Sequence, residues 1–239
     1  MALLAGALAG AFALPAFAGA SSGGASLSSG GASPSSGSSA QPGDVTATVS
    51  GGGATLSARI STLLHHQLRF VGQVPSADAG RTVVIQRLDR QAGWVDTAST
   101  TAGRDGSFTA VWQTNHIGRF QTRLAIAPSR GSAAHASSDT PTLQITVYRP
   151  AVATIFGQGF YGQKTACGLT LRHQTLGVAH RTLPCGTKVA IYYGGRTIVV
   201  PVIDRGPYAN HADWDLTEAT ARALGMQETE TIGAVSLPG

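Results

Sequence analysis

The sequence predicts an all-β chain organised as two small domains, and three observations carry that expectation. From Val45 to Tyr148, short runs rich in Val, Ile, Thr and aromatic residues follow one another, with glycine-containing turns between them and no long helical period. Beyond Pro150 a second set of apolar, β-branched runs appears, in text of a different character that holds both cysteines. Charged side chains make up only 12% of the 239 residues, which argues against a coiled coil or a charge-rich disordered chain.

The first segment is apolar. Residues 2–20, ALLAGALAGAFALPAFAGA, end in small residues, and Ala16-Phe17-Ala18 fits an A-x-A cleavage site, so residues 1–18 read as a secretory signal that lacks a basic start. No cysteine follows that would take a lipid anchor. Residues 19–43 are almost wholly Ser, Gly, Ala and Pro, a composition that buries too little surface to order itself, so they read as a flexible tether. After residue 20 no apolar run approaches the roughly 18 residues needed to span a bilayer. The expected location is secreted or cell-wall associated, with no stable membrane insertion once the signal is removed.

Residues 44–150 supply the first domain. VTATVS, LRFVGQV, TVVIQRL, SFTAVWQT, RFQTRLAIA and LQITVY are strand-length runs, and Thr82–Leu88 reads as an alternating, half-buried strand. Ala79-Gly80, Ala92-Gly93 and Asp105-Gly106 mark turns between them. Six or seven short strands without a helix predict an antiparallel sandwich. This region carries ten arginines against six aspartates, whereas residues 151–239 hold seven Lys/Arg against six Asp/Glu. The arginines stand singly along strand-like text with no basic run, so nucleic acid is not expected as a partner. Adjacent His65 and His66 would point to opposite faces of a strand, and His211 with Asp213 is too small a set for a metal; neither metal nor cofactor is expected. The run Gly72-Gln73-Val74-Pro75, Ala79-Gly80-Arg81-Thr82-Val83, Gly93-Trp94, Arg104-Asp105-Gly106-Ser107-Phe108 and Gly118-Arg119-Phe120 resembles bacterial immunoglobulin-like wall modules. That resemblance implies an immunoglobulin-like sandwich acting as a spacer or adhesion module.

In residues 151–239, Thr187–Tyr193 and Arg196–Ile203 flank Gly194-Gly195, a two-residue hairpin signal. Thr217 is placed to cap a short helix over 218–224, with Gly225 as its stop, and Ile232–Leu237 reads as a last strand. A closed barrel would hide the strand edges of so small a domain. Cys167 and Cys185 are the only cysteines; free thiols and half a metal site are the alternatives, but no partner stands at metal-ligand spacing and secretion favours a disulfide. A bridge over a loop of this length stabilises by about 3 kcal/mol in the chain-entropy picture.

Asp204 ends a strand as it enters Arg205-Gly206-Pro207, and Asp213 and Asp215 follow closely. Glycoside cleavage needs a proton donor to the leaving oxygen and stabilisation of an oxocarbenium-like transition state, commonly from two carboxyls. Tyr161, Tyr208 and Trp214 are aromatic groups able to stack on sugar rings. The motifs Gly159-Phe160-Tyr161-Gly162, Thr165-Ala166-Cys167-Gly168, Ala179-His180-Arg181-Thr182-Leu183-Pro184, Ile203-Asp204-Arg205-Gly206-Pro207 and Asp215-Leu216-Thr217 run in order through this region. Together they closely resemble the six-stranded double-psi β-barrel domain of the rare-lipoprotein-A family, related in fold to expansins.

That resemblance implies a lytic transglycosylase that cuts peptidoglycan glycan strands and leaves 1,6-anhydro ends. It makes Asp204, Asp215 and His180 the expected catalytic residues. Tyr161, Thr165, Arg205, Tyr208 and Trp214 form the expected substrate-binding set, and peptidoglycan glycan strands the expected partner. One position departs from the pattern: the family often reads Thr-Ala-Ser-Gly-Glu where this chain has Thr165-Ala166-Cys167-Gly168-Leu169. The alternative is therefore a non-catalytic, expansin-like module that binds or loosens polysaccharide.

Overall fold

The structure, a computed structural model, describes residues 41–127, 139–209 and 211–237. The expected signal, and all of the expected tether except residues 41–43, lie outside the described residues. In chain order the first strands are β1 (Gln41–Pro42), β2 (Thr46–Gly51), β3 (Ala54–Arg59), β4 (Ser61–Leu63), β5 (Gln67–Gln73), β6 (Thr82–Asp89), β7 (Gly93–Thr101), β8 (Ser107–Gln113) and β9 (Gly118–Ile126). They are followed by β10 (Thr142–Ile155), β11 (Val178–Ala179), β12 (Lys188–Tyr193), β13 (Arg196–Asp204), β14 (Trp214–Leu216), helix α1 (Glu218–Leu224) and β15 (Glu230–Ser236).

Two sheets face each other in the N-terminal half. One has the order β2-β3-β5-β8, and the other runs β7-β6-β9-β10 with β4 parallel along β10. Strict alternation in β8 sends Phe108, Ala110 and Trp112 inward, and β5 contributes Leu68 and Phe70 to the same core. Val83 and Ile85 of β6 and Leu143, Ile145 and Val147 of β10 meet them from the opposite sheet.

The expectation that Thr82–Leu88 is half-buried is corrected. Val83–Arg87 are all buried, because β6 is central in its sheet and its outer face is also covered. There Gln86 donates to Asp96 at 2.8 Å and accepts from Arg123 at 2.9 Å, while the Arg123 guanidinium lies 4.0 Å from the centre of the Trp94 ring. Two of the scattered arginines, Arg87 over Phe120 and Arg123 over Trp94, are thus absorbed as packing over a sheet face.

In the C-terminal half the strands close into a barrel. Pairing runs β10-β15-β12-β13-β11-β14 and returns from β14 to β10. Its interior holds Val178, Val189, Ile191, Val200, Val202, Leu216 and Ile232, all at most 1% exposed. Gly194 and Gly195, both with positive φ, turn the β12–β13 hairpin. Thr217 accepts from the Thr220 N–H at the start of α1, and Gly225 ends the helix at φ 79°. Each follows the sequence reading.

One strand belongs to both halves. Thr142–Val147 of β10 pair with β9, whereas Arg149–Ala153 of the same strand pair with β15. Pro150, read from sequence as the end of the first domain, sits within β10 at this exchange of partners. Around it Tyr148 stacks on Tyr192 with ring centres 5.5 Å apart, beside buried Ala190 and Val235. Residues 41–43, expected as tether, join the barrel side instead: β1 pairs with β13, and the Gly43 N–H donates to the Gly195 carbonyl.

The junction leaves no room at Gly233. A Cβ there would come within 2.7 Å of the Tyr148 Cβ and 2.8 Å of Leu63. The Leu63 side chain can turn aside, but the Tyr148 Cβ cannot yield without moving β10. Gly233→Ala is therefore expected to lower stability by about 1–3 kcal/mol, the usual cost of overpacking. The check is the urea midpoint followed by near-ultraviolet circular dichroism; an unchanged midpoint would show that the contact gives way freely.

Candidate functional site

Three neighbouring barrel strands set the site. In the register of β13, β11 and β14, Ala179 pairs with Asp204 on one side and with Asp215 on the other. The two aspartates are thus placed in one row, two interstrand spacings or roughly 9–10 Å apart at the backbone. No carboxylate is contributed by the loop of residues 157–171, whose sequence contains neither Asp nor Glu.

Asp215 is half-buried, and its Oδ1 accepts a hydrogen bond from the Thr154 hydroxyl at 2.9 Å. Burial pushes its carboxyl above the ordinary aspartate range, and the Asp204 charge pushes the same way; only the Thr154 bond opposes them. Asp204 is held differently. One oxygen, Oδ1, accepts from the Ala166 and Arg205 N–H groups, each at 2.8 Å, which ties the 157–171 loop to the end of β13.

His180 follows Ala179 directly, and its N–H donates to the Asp204 carbonyl. Its Nδ1 accepts from the Thr182 and Leu183 N–H groups at 3.2 and 3.1 Å, an arrangement that assigns the ring proton to Nε2. Burial lowers the imidazole pKa below its ordinary value, and Arg181 and Arg205 add to that, with Asp213 opposing. At neutral pH His180 is accordingly an uncharged Nε2–H donor. Its ring lies 4.4 Å from that of Trp214.

The remaining expected residues divide. Arg205 folds back: its guanidinium donates to the His180 carbonyl at 2.8 Å and to Cys185 Sγ at 3.1 Å, so it braces the site from behind. Thr165 is buried, and its hydroxyl accepts from the Leu169 N–H within a tight turn. Tyr161 donates its hydroxyl to Glu218 at 2.7 Å and stacks on His173 with ring centres 3.7 Å apart. Burial and the Glu218 carboxylate push that phenol up to about 12. Trp214 is 7% exposed and faces the barrel core, whereas Tyr208 is 78% exposed in the loop after Asp204. Cys167 and Cys185 form the expected disulfide, which fastens the turn at Leu169 to the loop after His180.

Sequence reasoning missed two features. Thr154 reaches Asp215 only because β10 and β14 run parallel in this register, and nothing in the local text signals it. The Tyr161–Glu218–His173 group joins a loop to the first turn of α1, across 57 residues between Tyr161 and Glu218. Among the described residues no cluster of three or more His, Cys, Asp or Glu could hold a metal ion.

Residues 151–236 match the family model described as lytic transglycolase. A protein of Synechocystis named probable endolytic peptidoglycan transglycosylase RlpA is 39% identical over 88 residues, covering 36% of this chain and 27% of that one. Its namesake in Aquifex aeolicus is 40% identical over 81 residues, covering 33% of this chain and 36% of that one. The endolytic peptidoglycan transglycosylase RlpA of Neisseria meningitidis is 31% identical over 123 residues, covering 46% of this chain and 52% of that one. The chain thus spans from about a quarter to about half the length of these relatives.

A raised carboxyl is a stability cost. With its folded pKa above the unfolded value, Asp215 contributes nothing below both values, where it is protonated in either state, and destabilises the folded chain increasingly as pH rises through the folded pKa. Asp215→Asn keeps an acceptor for Thr154 and removes the charge. It is expected to raise Tm by the order of a few degrees at pH 8 and by nothing at pH 3. Thermal unfolding of both proteins at the two pH values checks this, and an equal or lower Tm at pH 8 would show that burial does not strain the carboxylate.

Proposed function

We propose that this chain is a secreted, wall-acting lytic transglycosylase that cleaves peptidoglycan glycan strands. The observation that carries the reading is the aspartate pair itself: a half-buried carboxyl whose pKa is raised, facing a second carboxyl across one residue of β11, in the segment that matches lytic transglycolases. Asp215, kept protonated more readily than an ordinary aspartate, donates to the glycosidic oxygen as the bond to the anomeric carbon breaks. The positive charge that develops on the sugar is stabilised by the Asp204 carboxylate. The 6-hydroxyl of the same sugar then attacks the anomeric carbon and passes its proton to a carboxylate, which closes the 1,6-anhydro ring without water. His180 supports the reaction as a neutral Nε2–H donor to a sugar oxygen, and Tyr208 supplies an exposed ring for stacking.

The domain plan follows the same reading: a signal over residues 1–18, a tether that ends before the barrel-paired residues 41–43, an immunoglobulin-like sandwich over 44–150 and a double-psi barrel over 151–239. The sandwich assignment is supported by the strand order. The chain crosses between the sheets from β5 to β6, back from β7 to β8, and again from β8 to β9, with β4 parallel to β10 at one edge. A second reading, a polysaccharide-binding module without turnover, is favoured by one feature. Leu169 is 43% exposed on the turn beside Asp204, together with exposed Phe160 and Tyr208, so this rim offers apolar contacts where an acid would serve cleavage.

Digestion of peptide-stripped glycan strands with the mature chain, read by mass spectrometry, separates the two. Anhydro-ended products are expected, with the rate reduced about 10²–10⁴-fold in Asp215→Asn, the usual range for a lost general acid. The wild-type rate is expected to fall as pH rises through the raised Asp215 pKa, because the protonated form is the donor. Retained sedimentation onto the glycan with no products would favour the binding module, and reducing ends would mean hydrolysis.

A further inference from the structure

A groove of about 310 Å³ opens where the two halves of the molecule meet, adjoining the aspartate row. Its walls include His180, Asp213 and Trp214 from the barrel, Ser236 at the end of β15, Arg149 of β10 and Ile117 from the loop entering β9. The volume is at the lower end of the range for small-ligand sites. Two of its lining residues are tied to the aspartate row. His180 lines it and is bonded through its N–H to the Asp204 carbonyl, and Asp213 lies two residues before Asp215, roughly 6–7 Å along an extended chain.

Its charges are uneven. Asp213 is paired with Arg181 at 3.5 Å, and its second oxygen accepts from the Val152 N–H at 3.3 Å. His180 is neutral. The exposed Arg149 guanidinium makes no hydrogen bond or ion pair among the described residues, so it is the open cationic group of the groove. Ile117 and Trp214 add apolar wall to the same groove. A planar fork of donors beside apolar surface is the pairing that recognises a carboxylate carried on a ring.

We infer that the glycan cleft extends into this groove, where Arg149 binds the lactyl carboxylate of a muramyl sugar. The N-terminal domain would thereby form part of the substrate site through Ile117 and β10. This rests on the transglycosylase reading. Arg149 is a specificity residue here and takes no part in bond breaking. A stem peptide on the lactyl group converts that carboxylate to an amide and removes the charge that Arg149 meets.

The test uses the mature chain, an Arg149→Gln variant and a Ser236→Trp variant that fills the groove from an exposed position, each checked for unchanged circular dichroism. Affinities are measured for muramic-acid-containing glycan oligomers and for chitin oligomers, which lack the lactyl group, and cleavage of stripped strands is followed in parallel. Arg149→Gln is expected to weaken binding of the muramyl oligomers roughly tenfold, as for loss of one charge-assisted pair, and to leave chitin oligomers unchanged. Ser236→Trp is expected to weaken both. Wild-type cleavage with both variants binding and cutting as the wild type does would overturn the groove and leave the transglycosylase reading intact. A wild type that neither binds nor cuts glycan would overturn both.

Discussion

The backbone hydrogen bonds of β10 are the constraint on which the rest of the molecule depends. A strand has two edges, and in most domains both are used within one sheet. Here one edge of Thr142–Val147 pairs with β9, and the strand then exchanges partners so that Arg149–Ile155 serve β15 and β14. Because those are backbone bonds along a single extended segment, the two halves cannot reorient without breaking ladder pairs. The Tyr148–Tyr192 stack and the Asp44 carboxylate, which accepts from the Tyr192 hydroxyl at 2.6 Å, fasten the same junction from its sides. A Pro at position 150 would end a helix and weaken a central strand. It is tolerated where the strand changes partners.

That continuity also positions the chemistry. The residues that pair with β14 come at the end of β10, so the strand that anchors the first domain also delivers Thr154 to Asp215. Around the aspartates the fold sets different surroundings for two like groups. Asp204 is placed at a strand end with two N–H donors on one oxygen, and Asp215 accepts from a single hydroxyl while burial pushes its carboxyl up. The disulfide and Arg205 hold the surrounding loops, which is why neither is free to meet a ligand.

Much of the local structure was legible because local rules governed it. Thr217, Glu218 and Gly225 bracket a helix by capping chemistry alone, and Gly194-Gly195 names its hairpin by backbone conformation. The same rule applies to Gly52-Gly53, which turn β2 into β3, yet that hairpin is harder to read because Ala54, Leu56 and Ala58 form a weak apolar pattern. Strand β7 has no fully buried residue, so its text, GWVDTASTT, shows no alternation to find. β6 misled in the other direction, since a central strand covered on both faces does not alternate in burial.

Residue types and spacing alone determined that the chain is all-β, with a glycine hairpin at Gly194-Gly195 and a capped helix over 218–224, whereas the expectation for Asp204, Asp215 and His180 came from the family resemblance. The former depend on turn propensity, alternation and capping, each of which is written into short stretches of text. Which aspartate is strained, which arginine is occupied and which is open, and how the halves join were decided only in three dimensions. Arg205 and Arg149 are the same residue to a reader of sequence. One folds back onto a carbonyl and a sulfur and the other stands open in a groove, because their surroundings come from strands far apart in the chain. Charge, burial and hydrogen bonding are properties of such assembled neighbours, and no window of sequence contains them.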